Sequence, residues 1–199
     1  MMLRTLAAGV AALSLSACVS VLPEQETPEG LYRFGPMEAE YNLQATLIVR
    51  EPEASRLFAG RAIAAEDSSG ALRLVRGVEW TDSSTRLMQT AMLDLFGGEG
   101  EGIAIVPGTG APADYELTWQ VSDFTLSGTT GRCRIRATLL DGRTRDVLTQ
   151  KVVSTTAPAS GDSNAARARA LTEAGRACVR DVAAFVADNA KPAPASVED

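Results

Sequence analysis

The sequence contains no histidine. That absence excludes every His-based catalytic triad, the HExxH zinc site and any imidazole switch near neutral pH. Lysine is almost missing too: Lys151 and Lys191 are the two in 199 residues. A Ser–Lys dyad would have to use Lys151, which has no supporting motif around it. Positive charge is in deficit, with 19 Lys plus Arg against 25 Asp plus Glu and a net charge of −6. A chain with that balance has no broad field for phosphate backbones, which argues against a nucleic-acid binder. No apolar run reaches the 18 or so residues that a membrane-spanning helix needs. What remains is an ordinary mix of 45% hydrophobic and 22% charged residues, enough to bury the core of a single domain.

Other chemical signatures are lacking as well. There is no GxxxxGK, GxSxG, CxxC or EF-hand pattern. Gly98-Glu99-Gly100-Glu101-Gly102 has the glycines of a phosphate loop, but it follows a helical pattern and carries two acids that would repel phosphate, so it reads as a turn. Glu51 with Glu53, and Glu66 with Asp67, are paired carboxylates in polar loops with no apolar surroundings to separate their pKa values. Metal ligation would need carboxylates alone, and no dense acidic cluster offers them. The expectation is therefore no catalytic residue, no metal site and no nucleotide.

The N-terminus is an address. Met1-Met2-Leu3-Arg4 is a short basic start, Leu6 to Leu15 is an apolar run, and Leu15-Ser16-Ala17-Cys18 follows. These are the parts of a secretory signal, with small residues where a peptidase must fit extended backbone. The last four residues resemble the lipobox of bacterial lipoproteins. That resemblance implies removal of residues 1–17 and attachment of a diacylglyceryl group and an N-acyl chain to Cys18, several chains being what makes anchoring stable. Val19 stands where an Asp retains such proteins in the inner membrane of enteric bacteria, which implies the outer membrane, periplasmic face. Residues 18–30 then form a lipidated tether rich in Pro and Glu, and its twelve residues after the cysteine reach at most roughly 40 Å.

With Cys18 lipidated, Cys133 and Cys178 remain, an even pair in an oxidising compartment. Both lie on apolar faces of their segments. The pair reads either as a disulfide or as two separate buried thiols, since a free cysteine behaves as a small hydrophobe.

Residues 31–190 read as one domain, and 191–199 as a disordered tail. Leu31 to Phe34 is a short strand candidate, and Glu40 to Arg50 alternates with Tyr41, Leu43, Ala45, Leu47 and Val49 on one face. Arg61 to Ala65 and Leu72 to Trp80 are strands flanking a Ser68-Ser69-Gly70 turn. Thr81 to Ser84 offers N-caps to a helix whose stripe is Leu87, Met88, Ala91, Met92, Leu95 and Phe96, closed by Gly97-Gly98. Ile103 to Val106, Tyr115 to Ser122 and Arg132 to Leu139 are further strands. Asp141-Gly142 predicts a hairpin turn at a positive-φ glycine, with Arg145 to Ser154 returning. Asp162-Ser163-Asn164 caps a long final helix that carries Cys178 on its apolar stripe. Trp80 and Trp119 continue apolar alternations and read as core anchors.

Arg132, Arg134 and Arg136 fall on the polar face of their strand, about 7 Å apart. Three guanidinium groups so placed suit an acidic partner or anionic headgroups. The plainer alternative is a solvated face balanced by acids such as Glu116 on the next strand.

The whole order resembles the auxiliary lipoprotein family of ABC-type transport systems, the PqiC type. The resemblance is carried by Cys18, the Pro-containing tether, Leu31-Tyr32-Arg33-Phe34, Leu43 to Val49, Leu72 to Val78 and Trp80-Thr81-Asp82 opening a helix. It continues through Asp114-Tyr115-Glu116-Leu117, Val121-Ser122-Asp123-Phe124, Arg132 to Leu140 and the last helix. The glycine-rich 97–102 segment departs from the pattern. The fold implied is α+β: a mixed, mostly antiparallel sheet with two main helices packed on one side, like the TolB N-terminal domain. The function implied is non-enzymatic. Such a protein docks onto a periplasmic MCE-domain protein that works with an ABC transporter to move phospholipid or other hydrophobic cargo between membranes. An alternative of another class is an outer-membrane lipoprotein acting as an envelope assembly or scaffold factor, as CsgG-like domains do, without cargo. The oligomeric state stays open.

Overall fold

The computed structural model describes residues 27–97 and 102–191. Cys18, the signal, most of the tether and residues 192–199 lie outside the described residues, so the expectations made for them are carried forward as such.

The longest elements are three antiparallel strands: β7 (Tyr115–Ser127), β8 (Thr130–Asp141) and β9 (Val147–Pro158). In the first half of β7, Leu117, Trp119 and Val121 alternate toward the core; Phe124 and Leu126 continue the same buried row. The step from Val121 to Phe124 is three residues because the ladder to β8 shifts register between Val121 and Asp123. A bulge of this kind inserts one residue and leaves the buried side unchanged. The alternation therefore breaks phase at Ser122, which is where the sequence pattern ended the strand early.

On its other edge β7 meets three short parallel strands in succession: β2 (Leu47–Val49), β3 (Glu53–Ala54) and β4 (Ala62–Glu66). Strand β4 pairs antiparallel with β5 (Leu72–Trp80), β5 pairs parallel with β1 (Gly30–Tyr32), and β2 carries β6 (Ala104–Ile105). The alternation over 40–50 gives a ladder at Leu47–Val49 alone. Leu47 already sits opposite Tyr115, the first residue of β7, so earlier residues run past the end of that strand. Leu43 and Ala45 are still buried, and the N–H groups of Glu40 and Tyr41 donate to the carbonyl of Leu95 at 3.1 and 3.0 Å.

Helices α1 (Arg56–Ala59), α2 (Ser84–Leu95) and α3 (Asn164–Asn189) complete the domain. Helix α1 has no period long enough to mark it in the sequence. Ser83 caps α2 by accepting from the N–H of Arg86, and Ser163 caps α3 by accepting from that of Ala166. Helix α2 ends just before Gly97, as expected: Phe96 is its C-cap residue with its N–H on the Leu93 carbonyl, and the Gly97 N–H donates to the Asp94 carbonyl. Gly98 and the rest of the 98–101 glycine turn lie outside the described residues. The expected glycine turn after β8 differs. The left-handed residue is Arg145, at φ 68°, while Gly142 is required because a Cβ there would overlap the Ala113 carbonyl. Asp141 organises the turn by accepting from the N–H groups of Arg143 and Thr144 at 2.9 and 2.8 Å.

The core lies between the sheet and α2 and α3. Trp80 stacks on Phe124 with centroids 5.4 Å apart, and Phe34 meets Trp80 and Phe124 edge-on at 5.8 and 6.2 Å. Trp119 is buried as well and donates its indole N–H to the Arg50 carbonyl at 2.6 Å. Helix α3 settles close to the sheet because Gly131 and Gly175 bring no side chain to the contact.

Candidate functional site

Pairing places Gln120 opposite Arg136, Asp123 opposite Arg134 and Thr125 opposite Arg132, so these residues share the sheet face turned away from the helices. On β9 the partners of Arg132, Arg134 and Arg136 are Thr156, Ser154 and Val152. This helix-free face carries the arginine stripe expected from the sequence, and the structure divides it. Arg132 is half-buried and engaged: its guanidinium lies 2.5 Å from Glu66 and 3.2 Å from Asp123, and it donates to Thr125 Oγ1 at 3.2 Å. Arg134 and Arg136 are exposed, and no acid lies within ion-pair distance of either among the described residues. One of the three is thus structural and two are available.

Glu116 does not balance the stripe as the sequence suggested. Its side chain is 3% exposed and is held by Arg50 and Arg145, each about half exposed. The hydrogen bond to Glu116 raises the pKa of Arg50, against a smaller opposing effect of burial. Beside this triad a groove of about 360 Å³ opens, lined by Arg50, Glu51, Gln120, Arg136 and Thr138 among others. It adjoins the free part of the stripe.

Cys133 on β8 and Cys178 on α3 meet at the sheet–helix contact, both buried. The register confirms the meeting: Thr155 sits opposite Cys133 and donates its hydroxyl to the Ala174 carbonyl at 2.7 Å, one turn before Cys178. The structure carries them as adjacent thiols with no bond between them, an arrangement from which the suspected disulfide could form in the exported protein. Burial pushes the Cys133 thiol well above its usual range, and the adjacent Cys178 adds to the shift. A thiol in that state is a poor nucleophile and a packing group.

The acid pairs of the sequence are dispersed. Glu66 goes to Arg132, Glu51 accepts from the Thr85 hydroxyl at 2.5 Å, and Asp67 binds Ser69 and Arg73 in a turn. Among the described residues no three acids or cysteines converge as metal ligands, and no helix is long and apolar enough to cross a membrane. Lys151 stands exposed on β9 opposite Ala137.

Sequence reasoning missed the edge. Among the described residues strand β9 pairs with β8 and with nothing else, and no backbone group between Val147 and Pro158 bonds to any element but β8. Val147, Leu148 and Val152 on it are 66%, 49% and 44% exposed. The available signal was the weak alternation of residues 147–152, which contrasts with the strict alternation of β8.

Comparison with known proteins bears on the whole domain. A crystal structure of a Xanthomonas campestris protein of the DUF330 family superposes with a TM-score of 0.69 at 19% identity, covering 80% of this chain and 96% of that one. An uncharacterised protein gives 0.64 at 10% identity, covering 80% and 99%. A hypothetical protein from Chlamydia trachomatis gives 0.51 at 7%, covering 74% and 98%. At such identities the likeness shows a shared fold. No curated protein matches the chain in sequence. The family model of the ABC-type transport auxiliary lipoprotein component matches residues 35–183, and over that span, from the loop after β1 to the penultimate turn of α3, this chain belongs to that family.

Proposed function

We propose that the protein is a non-enzymatic, lipid-anchored component of an ABC-type transport system, held at the periplasmic face of the outer membrane through Cys18. Its partner would be a periplasmic MCE-domain protein working with an ABC transporter, and the cargo phospholipid or another hydrophobic molecule. The observation that carries this reading is family membership over residues 35–183, in a chain whose first 18 residues resemble a signal and lipobox. The division of labour follows from the residues. Energy comes from an ATPase elsewhere, since this chain has no phosphate-binding loop. Its own contribution is a rigid domain on a short tether, which raises the local concentration of its docking face near the membrane.

The test is a pull-down of the lipidated protein from mildly solubilised envelopes, with partners identified by mass spectrometry. Recovery of an MCE-domain protein with its ABC subunits supports the transport role. Recovery of only a pore or a cell-wall enzyme overturns it in favour of an envelope assembly factor. Replacing Cys18 by Ala should release the protein from membranes or block its processing; unchanged membrane fractionation would remove the lipid anchor from the proposal.

A further inference from the structure

We propose that the free edge of β9, together with Arg134 and Arg136, is a strand-addition site for an extended, carboxylate-bearing segment of a partner protein. The inference deepens the functional reading above and rests on it only in assuming that the chain acts by docking.

Three observations meet at this place. The first is backbone. Strand β9 is twelve residues long and, among the described residues, forms no ladder on its outer side. A row of unpaired N–H and C=O groups of that length is a template for another strand, and natural sheets blunt such edges with charge, proline or bulges. Here Lys151 is the one charge on the strand, Pro158 stands at its last position, and the register shift lies at Leu148 beside the hairpin. The stretch from Thr149 to Ala157 has no other guard. It is also rigid, because Val153 is buried and the Thr155 hydroxyl is bonded to α3. An ordered edge loses little conformational freedom on pairing.

The second observation is apolar. Val147, Leu148 and Val152 are exposed along the same strand, so an added strand would find side-chain contact as well as hydrogen bonds.

The third is charge, and it chooses the occupant. Arg134 and Arg136 are exposed without acid partners among the described residues, in a chain of net charge −6. Their neighbours on β9, Ser154 and Val152, are short, so both guanidinium groups can extend over β9 toward a strand lying beyond it. Two residues apart on β8, they repeat at about 7 Å, which is the same-face repeat of any extended segment. Carboxylates at alternate positions of an added strand would therefore meet both arginines in register. A phospholipid headgroup could satisfy the charge but offers nothing to the backbone edge, so the combination favours protein over lipid.

The test uses the full lipidated protein in solubilised envelopes, with a photo-crosslinking amino acid at Ser154, or at Asp181 on the outer side of α3 as a control. The expected result is a crosslink from position 154 to one acidic segment of one protein, absent from position 181. Arg134→Glu with Arg136→Glu should cut its yield by about tenfold or more, as should raising the salt. Arg134→Glu faces Asp123 across the strand pair and costs some stability, so Arg134→Gln with Arg136→Gln is the companion variant: it should keep the parent melting temperature and still lower the yield. Crosslinks to lipid, no crosslink at 154, or a yield insensitive to the double variant would each overturn the proposal. Binding of the purified protein to phosphatidylglycerol vesicles that is lost in the double variant would likewise assign the arginines to lipid and overturn it. The name of the captured protein decides the transport reading separately: an acidic strand from a protein outside any ABC system would keep this site and sink that function.

Discussion

Gly131 offers a sharp test of how the two layers are held together. It lies on β8 between Leu126 and Ala157 and faces α3. A Cβ built there would stand 2.6 Å from the carbonyl carbon and oxygen of Ala170 and from Cα of Leu171. All three are helix backbone, which cannot swing aside as a side-chain tip can. Restoring ordinary contact, at 3.4 Å or more, would push α3 outward by nearly 1 Å over that turn. Overpacking of this kind costs about 1–3 kcal/mol, and dispersion contacts around it weaken. Against it stands the gain of replacing glycine, about 0.4–1 kcal/mol through the unfolded chain. The cost wins, so Gly131→Ala should lose about 1–2 kcal/mol, or roughly 2–8 °C in Tm for a domain of this size. Thermal and urea melts followed by circular dichroism measure it. Gly161→Ala is the control, since nothing lies within 4 Å of a Cβ there, and it should stay within about 0.5 kcal/mol of the parent or gain slightly. Gly175→Ala is intermediate. Its Cβ meets the ring tips of Phe34 at 2.6 Å and Phe124 at 3.1 Å, which can tilt, and the helix gains nearly 1 kcal/mol from alanine. A Gly131→Ala protein as stable as the parent would refute the close-approach account.

Three further outcomes are expected. If Cys133 and Cys178 are joined in the exported protein, unfolding in an alkylating reagent should reveal no thiol at either position, and reduction should lower stability by up to about 4 kcal/mol for the loop enclosed; two titratable thiols would establish the free pair. Arg50→Ala with Arg145→Ala strands the buried Glu116 carboxylate and should cost about 3–5 kcal/mol, whereas Glu116→Gln leaves two half-exposed guanidinium groups to water and should cost about 1 kcal/mol. Equal losses in urea melts would show that burial of the carboxylate is not what matters. Asp67 is held below the usual carboxylate range by the Ser69 hydroxyl first and then by Arg73 and nearby N–H groups. A depressed folded-state pKa means its stabilisation is complete above the unfolded value of about 3.9 and is lost as pH falls through the folded one. Asp67→Asn should therefore lose less Tm between pH 6 and pH 3 than the parent does, and parallel pH profiles would contradict the assignment.

Local chemistry makes several parts of this protein legible in its sequence. The serine caps before both long helices and the strict alternation of β8 depend on neighbours within a few residues, and a linear sequence displays those directly. The stripe of Cys178 on α3 and the row of Cys133 on β8 each follow from a local period, so both could be placed in the core separately. Other features depended on partners far along the chain. The 40–50 alternation formed a ladder over Leu47–Val49 alone because β7 begins at Tyr115, and the positive φ after β8 fell on Arg145 while Ala113 leaves no room for a Cβ at Gly142. The three arginines looked equivalent as letters. Tertiary structure separated them, by bringing Glu66 from β4 and Asp123 across the β7 bulge to Arg132, and by leaving Arg134 and Arg136 beside an unpaired edge. A side chain's period fixes its face, but only the strands packed around it decide whether its charge is spent.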